Sequence, residues 1–189
     1  GATGAQFDML TEKAKLLGRT TSFTAAQVAA GMLELGRAGF APDQIDAAIA
    51  SVLNLARATG TELAEASNLA ANTLRSFGLE ADQMGRVADV LTATANNSAQ
   101  TLLDLGESMK YTAPVAAEYG MTLEETAKVL GALANFGIKG SMAGTTMKNI
   151  LLRIADPAIQ KQLAQLGVAV TDANGDLRNV SAILSDVGQ

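Results

Sequence analysis

The stretch that comes nearest to reactive chemistry is GIKGSMAGTTMK, Gly137 to Lys148. Glycines, hydroxyls and a lysine ahead of a helix are the ingredients of a loop that cradles phosphate. That motif needs four residues between its glycines, followed directly by Gly-Lys-Ser/Thr. Here three residues separate Gly140 from Gly144, and Thr145 comes next. The spacing fails. The segment reads instead as a flexible, glycine-marked turn whose small residues let two helices approach.

Asp172, Asn174 and Asp176 open like a calcium loop. Such a loop requires glycine at its sixth position and glutamate at its twelfth. The chain offers Leu177 and Ile183, so a hairpin turn is the better reading. Carboxylates are paired at Glu124 and Glu125 and again at Glu80 and Asp82. Pairs of this kind do acid–base work when their surroundings drive the two pKa values apart. Each pair here falls in the first turn of an expected helix, where negative charge complements the dipole. The triplets Asn96-Asn97-Ser98 and Asn179-Val180-Ser181 are glycosylation acceptors only in a secreted eukaryotic chain, and nothing suggests one. There is no histidine and no cysteine. Ser-His-Asp catalysis, zinc-protease helices, thiol metal sites and disulfides are excluded. No catalytic, cofactor-binding or metal-ligating residue is assigned, and no cofactor is expected.

The elements that would hold any site are helical. The 189 residues are 48% hydrophobic but only 4% aromatic, a composition that favours closely packed helices over a core of large side chains. Fourteen basic and nineteen acidic residues give a net charge of −5, with no strongly basic stretch, which argues against specific nucleic-acid binding. No apolar run approaches ~18 residues, so no membrane span is encoded in this segment. The chain begins with Gly1 and is expected to be an excised piece of a longer protein.

Phe7, Leu10, Ala14 and Leu17 share one helical face, and Gly18 is expected to end that helix. Thr24 caps the next with Gln27 three residues on, a capping-box spacing, and Val28, Met32 and Leu35 line its buried side. Gly39 stops it, and Pro42 opens a helix striped by Ile45, Ile49, Val52, Leu53 and Ala56. That helix ends near Thr59-Gly60. Leu63, Ala66, Ala70, Thr73, Leu74 and Phe77 lead to Gly78-Leu79, then Met84, Val87, Leu91 and Thr94. Leu102, Leu105, Met109, Thr112 and Ala116 lead to Gly120-Met121. There Thr122 and Glu125 form a second capping box ahead of Thr126, Val129, Leu130 and Leu133. Pro114 should kink or split its helix near Lys110-Tyr111. Met147, Ile150, Leu151 and Ile154 give one more helix, stopped by Asp156-Pro157, and a short helix follows from Ala158 to Leu166. Most of the seven methionines fall on these apolar faces, so core filling is their default role.

Gly39, Gly78 and Gly120 are 39 and 42 residues apart, and the text around them is alike: GFAPDQI, GLEADQM, GMTLEET. A recurrence near 40 residues is the length of a helical-hairpin repeat. Beyond Leu166 the texture changes. VAVTDANGDLRNV alternates like a strand, turns at Asn174-Gly175 and returns, which predicts a small β-hairpin. Ser181 is placed to cap a final helical turn, Ala182 to Val187. The expected fold is therefore mainly α. About nine or ten short-to-medium helices pack as successive helical hairpins over residues 1–166. Residues 167–189 supply a β-hairpin and a short terminal helix packed on them.

The long segment from GLEADQMGRVADVLTATANNSAQTLLDLGESMKY through TAPVAAEYGMTLEETAKVLGALANFGIKGSMAGT resembles the conserved region of phage tail tape measure proteins. The lead-in FTAAQVAAGMLELGRAGFAPDQI and the closing LGVAVTDANGDLRNVSAIL are similar to the same region, so the resemblance spans nearly the whole chain. It implies a structural role in a virion tail, assembled in the host bacterial cytoplasm, with several copies inside the tail tube setting its length. The partners it implies are the tail tube protein, tail assembly chaperones and tail-tip or baseplate proteins, together with self-association in the tail. It brings no catalytic residues, so no enzymatic activity is expected.

One constraint comes from geometry alone. A single straight helix of this length would reach roughly 280 Å at a rise of ~1.5 Å per residue. The recurring turn signals forbid that, so this region should be a compact module, with the ruler elsewhere in the parent. Two other readings stay open: a cell-wall hydrolase domain carried by a tail protein, and a generic helical-repeat scaffold that binds protein in its concave face.

Overall fold

A computed structural model describes residues 3–172 and 178–188. Among them are ten α-helices: α1 Gly4–Thr20, α2 Ala25–Arg37, α3 Pro42–Thr59, α4 Leu63–Ser76, α5 Met84–Asn96, α6 Leu102–Glu118, α7 Leu123–Asn135, α8 Gly140–Ile154, α9 Pro157–Gln165 and α10 Val180–Val187. A single 3₁₀ turn, Ala81–Gln83, leads into α5.

The helices start where side chains can take up their free N–H groups. Thr24 accepts from Gln27 N–H while Gln27 reaches back to Thr24, and Thr122 and Glu125 do the same for α7. Pro42 opens α3, where its missing N–H costs nothing. Two further boxes, Thr3 with Gln6 and Thr101 with Asp104, went unnoticed in the sequence. The helices stop at Gly39, Gly78 and Gly120 with φ of 87°, 63° and 72°, a region costly for any residue with a Cβ. In each turn the apolar residue after the glycine bonds back five residues: Phe40 N–H to Leu35 O, Leu79 N–H to Leu74 O, Met121 N–H to Ala116 O. This closure satisfies the last carbonyls and tucks the apolar side chain onto the helix it has just left.

Stacking follows a simple rule. Each helix packs most extensively on the helix two places along, not on its sequence neighbour. The result is two layers. One row is α2, α4, α6 and α8; the other is α1, α3, α5 and α7. The core runs between the rows as one continuous cluster from Ala14 to Ile183. The predicted stripes fill it: Val28, Leu35, Ile49, Val52, Leu91, Leu105, Leu130, Met147 and Leu151 are all buried. Small residues set the spacing of the rows.

Four expectations are corrected. Gly18 does not end α1, which runs on to Thr20; it leaves room for the backbone of Ala25, where a Cβ would sit 2.5 Å from the Ala25 nitrogen. Pro114 does not split α6. It lies on the solvent-exposed face with Lys110 and Tyr111, so water can take the Lys110 carbonyl that loses its N–H partner. Asn179, not Ser181, provides the side-chain cap of α10, its Oδ1 accepting from Ala182 N–H. The fourth is the β-hairpin of residues 167–189. No strand occurs among the described residues; Thr171 is a lone bridge position, with one backbone bond nearby from Arg178 N–H to Val170 O at 2.9 Å. Asn174 and Gly175, the expected turn, lie outside the described residues. The alternation of Val168 and Val170 is real, but both side chains are buried in the helical core and do not build a sheet face. The Arg178 guanidinium supplies what a ladder would have: it donates to the Ala169 carbonyl and pairs with Asp186 of α10 at 3.0 Å.

Candidate functional surfaces of the stack

The residues singled out for possible chemistry turn out to hold repeats together. Gly140 to Lys148 is not a loop: it forms the first turns of α8, with only residues 137–139 in the turn before it. Its small residues face α6. A Cβ on Gly144 would lie 2.5 Å from the Ser108 carbonyl oxygen and 3.0 Å from Tyr111 Cβ. The gap it leaves lets Ser108 Oγ donate to the Gly140 carbonyl at 2.8 Å and Thr112 Oγ1 to the Gly144 carbonyl at 3.1 Å. Ser108 and Thr112 are themselves fully buried.

Glu124 and Glu125 divide into two tasks. Glu125 closes the capping box of α7, and Asn179 also donates to it. Glu124 reaches across to α5, where Arg86 Nε and Nη2 donate to its two oxygens at 2.6 and 2.8 Å. This forked pair is the geometry in which guanidinium and carboxylate interact best. It was not evident in the sequence; the signal was a separation of 38 residues, close to the repeat period. The Arg86 hydrogen bonds hold the Glu124 carboxyl below its ordinary range. Asp104, at the start of α6, is held low chiefly by the backbone N–H of Thr101, with Lys139 3.7 Å away. Both groups are therefore ionised at neutral pH, opposite to the shift a general acid needs. Glu80 and Asp82 flank the 3₁₀ turn.

The asparagines of the two Asn-x-Ser triplets are structural as well. Asn96 donates to the Ala58 carbonyl one repeat earlier at 3.4 Å, and Asn97 to Ala93 O at 2.8 Å. Asn135 accepts from Ala99 N–H at 2.9 Å on the same edge of the stack. Asp172 lies among the described residues, whereas Asn174 and Asp176 do not. Among the described residues no cluster of three His, Cys, Asp or Glu side chains could hold a metal ion. No helix among them is long and apolar enough to cross a membrane.

Two concave surfaces remain. One, of about 780 Å³, runs across α2, α4 and α6, with Leu69, Gly106 and Met109 among its floor residues and Glu65, Asn68 and Asn72 among its polar ones. The other, of about 500 Å³, lies at the open end of the stack between α1 and α2 and is almost entirely apolar. Phe7, expected in the core, is instead 66% exposed there. These are surfaces for packing partners, not for bond-making.

A family model described as phage-related minor tail protein matches residues 11–189. The tape measure protein of Pneumococcus phage Dp-1 is 45% identical over 179 residues, covering 94% of this chain and 16% of that protein. The probable tape measure protein of Escherichia phage P2 is 33% identical over 185 residues, covering 97% of this chain and 23% of that protein. The chain thus spans less than a quarter of either relative. No solved structure matches it.

Proposed function

The chain belongs to the phage-related minor tail protein family, and on that footing we propose that it is a folded structural module of a tail tape measure protein. The observation that carries this is the 45% identity to the Dp-1 tape measure protein over nearly the whole chain. Its place of action is the virion tail, and its role is mechanical, without catalysis. The partners are the tail tube protein, the assembly chaperones and the tail-tip or baseplate proteins, met in the host cytoplasm while tails assemble.

The fold sets a limit on how the module contributes. Its longest helix, α3, has 18 residues and so spans only about 27 Å. A ruler that gains ~1.5 Å per residue needs extended helix. This module folds back on itself nine times or more before its end and is too compact to measure in that way. Residues 1–166 form the stack and 167–189 its closing segment, whose Val168, Val170, Val180 and Ile183 enter the same core. We assign the module to assembly or docking and the measuring to other parts of the parent protein.

Two in-frame deletions in the parent phage test this, with tail lengths read by electron microscopy. Removing an equal length elsewhere in the tape measure protein should shorten tails by roughly 280 Å, the helical rise over that many residues. Removing this region should abolish tails. If its loss merely shortens tails by the same amount, the region is extended in the virion and the assignment is wrong.

A further inference from the structure

Each helix of the first row rests in a groove made by the two helices that follow it. α2 lies against α3 and α4, α4 against α5 and α6, and α6 against α7 and α8. The groove between α1 and α2 is the next seat in that series, and no described helix occupies it. Its surface has the relief of a helix-packing face: Phe7 and Leu33, 66% and 54% exposed, project beside Ala29 and Gly36. A stack of repeats that ends in solvent caps that end with a polar face. This end is apolar.

We propose that the α1/α2 groove is a two-fold interface between two copies of this chain. Knobs and hollows occur together on one surface, as a self-complementary contact requires. The rim charges agree. Glu12 and Lys15 of α1 stand side by side, 2.7 Å apart and both well exposed. A two-fold sets Glu12 of one copy against Lys15 of the other and repeats the pairing by symmetry. The opposite end of the stack behaves differently. Over α8 and α9, Lys139, Lys148, Arg153 and Lys161 face only one acidic residue, Asp156. Two such ends repel each other, so pairing goes through α1 and α2 and closes at the dimer.

Sedimentation equilibrium of the 189-residue chain, from about 1 µM to about 1 mM, tests this. The expected mass rises with concentration from the monomer to twice that value and stops. Leu33→Lys should hold the chain at monomer mass with an unchanged helical spectrum, since Leu33 is exposed in the single copy. Leu152→Lys, on α8, should leave the dimer intact. Glu12→Lys and Lys15→Glu should each weaken self-pairing, and an equimolar mixture of the two should recover a heterodimer. A monomer at every concentration overturns the proposal. So does growth beyond the dimer, loss of association in Leu152→Lys, or failure of the charge-reversed mixture to pair; the second and third of these would indicate head-to-tail stacking instead.

Discussion

Substituting Gly144 by alanine sets two effects against each other, and the structure decides which wins. In an isolated helix the change is favourable by about 1 kcal/mol, because glycine pays more backbone entropy than alanine. In this stack the new Cβ would meet the Ser108 carbonyl oxygen at 2.5 Å and the Ser108 Cα at 3.1 Å. These are backbone atoms of a buried helix and cannot swing aside as a side-chain end can. Relief requires α6 and α8 to separate, and overpacking of this kind costs about 1–3 kcal/mol. Separation also lengthens the bonds from Ser108 to Gly140 and from Thr112 to Gly144, now 2.8 and 3.1 Å. Each is worth about 1 kcal/mol net. The sum is a destabilisation of about 2–3 kcal/mol after the propensity gain is subtracted. Urea unfolding followed by circular dichroism measures it, with Gly85→Ala as the control. Gly85 is also helical, but its added Cβ meets only Ser51 Oγ at an ordinary 3.6 Å, so alanine there should be neutral or stabilising. If Gly144→Ala matches Gly85→Ala or exceeds wild type in stability, close approach is not what that glycine provides.

Two further outcomes follow from the carboxylates. A double-mutant cycle on Arg86 and Glu124 should give a coupling of only about 0.2–1 kcal/mol despite the forked geometry, because both side chains are more than 40% exposed; a coupling above about 2 kcal/mol would mean that the pair is shielded in solution. Glu124 and Asp104 have folded-state pKa values below their unfolded ones, so the stability they confer is full above the unfolded values and is lost as pH falls through the folded ones. The unfolding midpoint should therefore be flat near neutrality and decline below about pH 4, with the decline reduced in Glu124→Gln.

Much of this molecule is decided by short-range chemistry that a sequence displays. Thr24 with Gln27, Thr122 with Glu125, Pro42, and the glycines at 39, 78 and 120 each act within a turn of their own helix, and each acts as the residue types require. The apolar stripes likewise name most of the core, because periodicity fixes which side of a helix must leave water. What the stripes do not name is the partner, and every misreading has that origin. Gly18 and Gly39 look alike in the text; one admits a neighbouring backbone and the other turns the chain left-handed, and only the neighbour distinguishes them. Val168 and Val170 alternate as strand residues do, yet the stack offers them a helical core and not a second strand. Phe7 has the right spacing to be buried, but no described helix covers it. The candidate phosphate loop became the tightest contact between two helices because its partner, Ser108, lies more than thirty residues earlier in the chain. Sequence alone determined the helices, their caps and their turns, since those energies are settled within about five residues. Tertiary structure decided the rows, the close approaches and the open end, since those depend on which surfaces meet one repeat away.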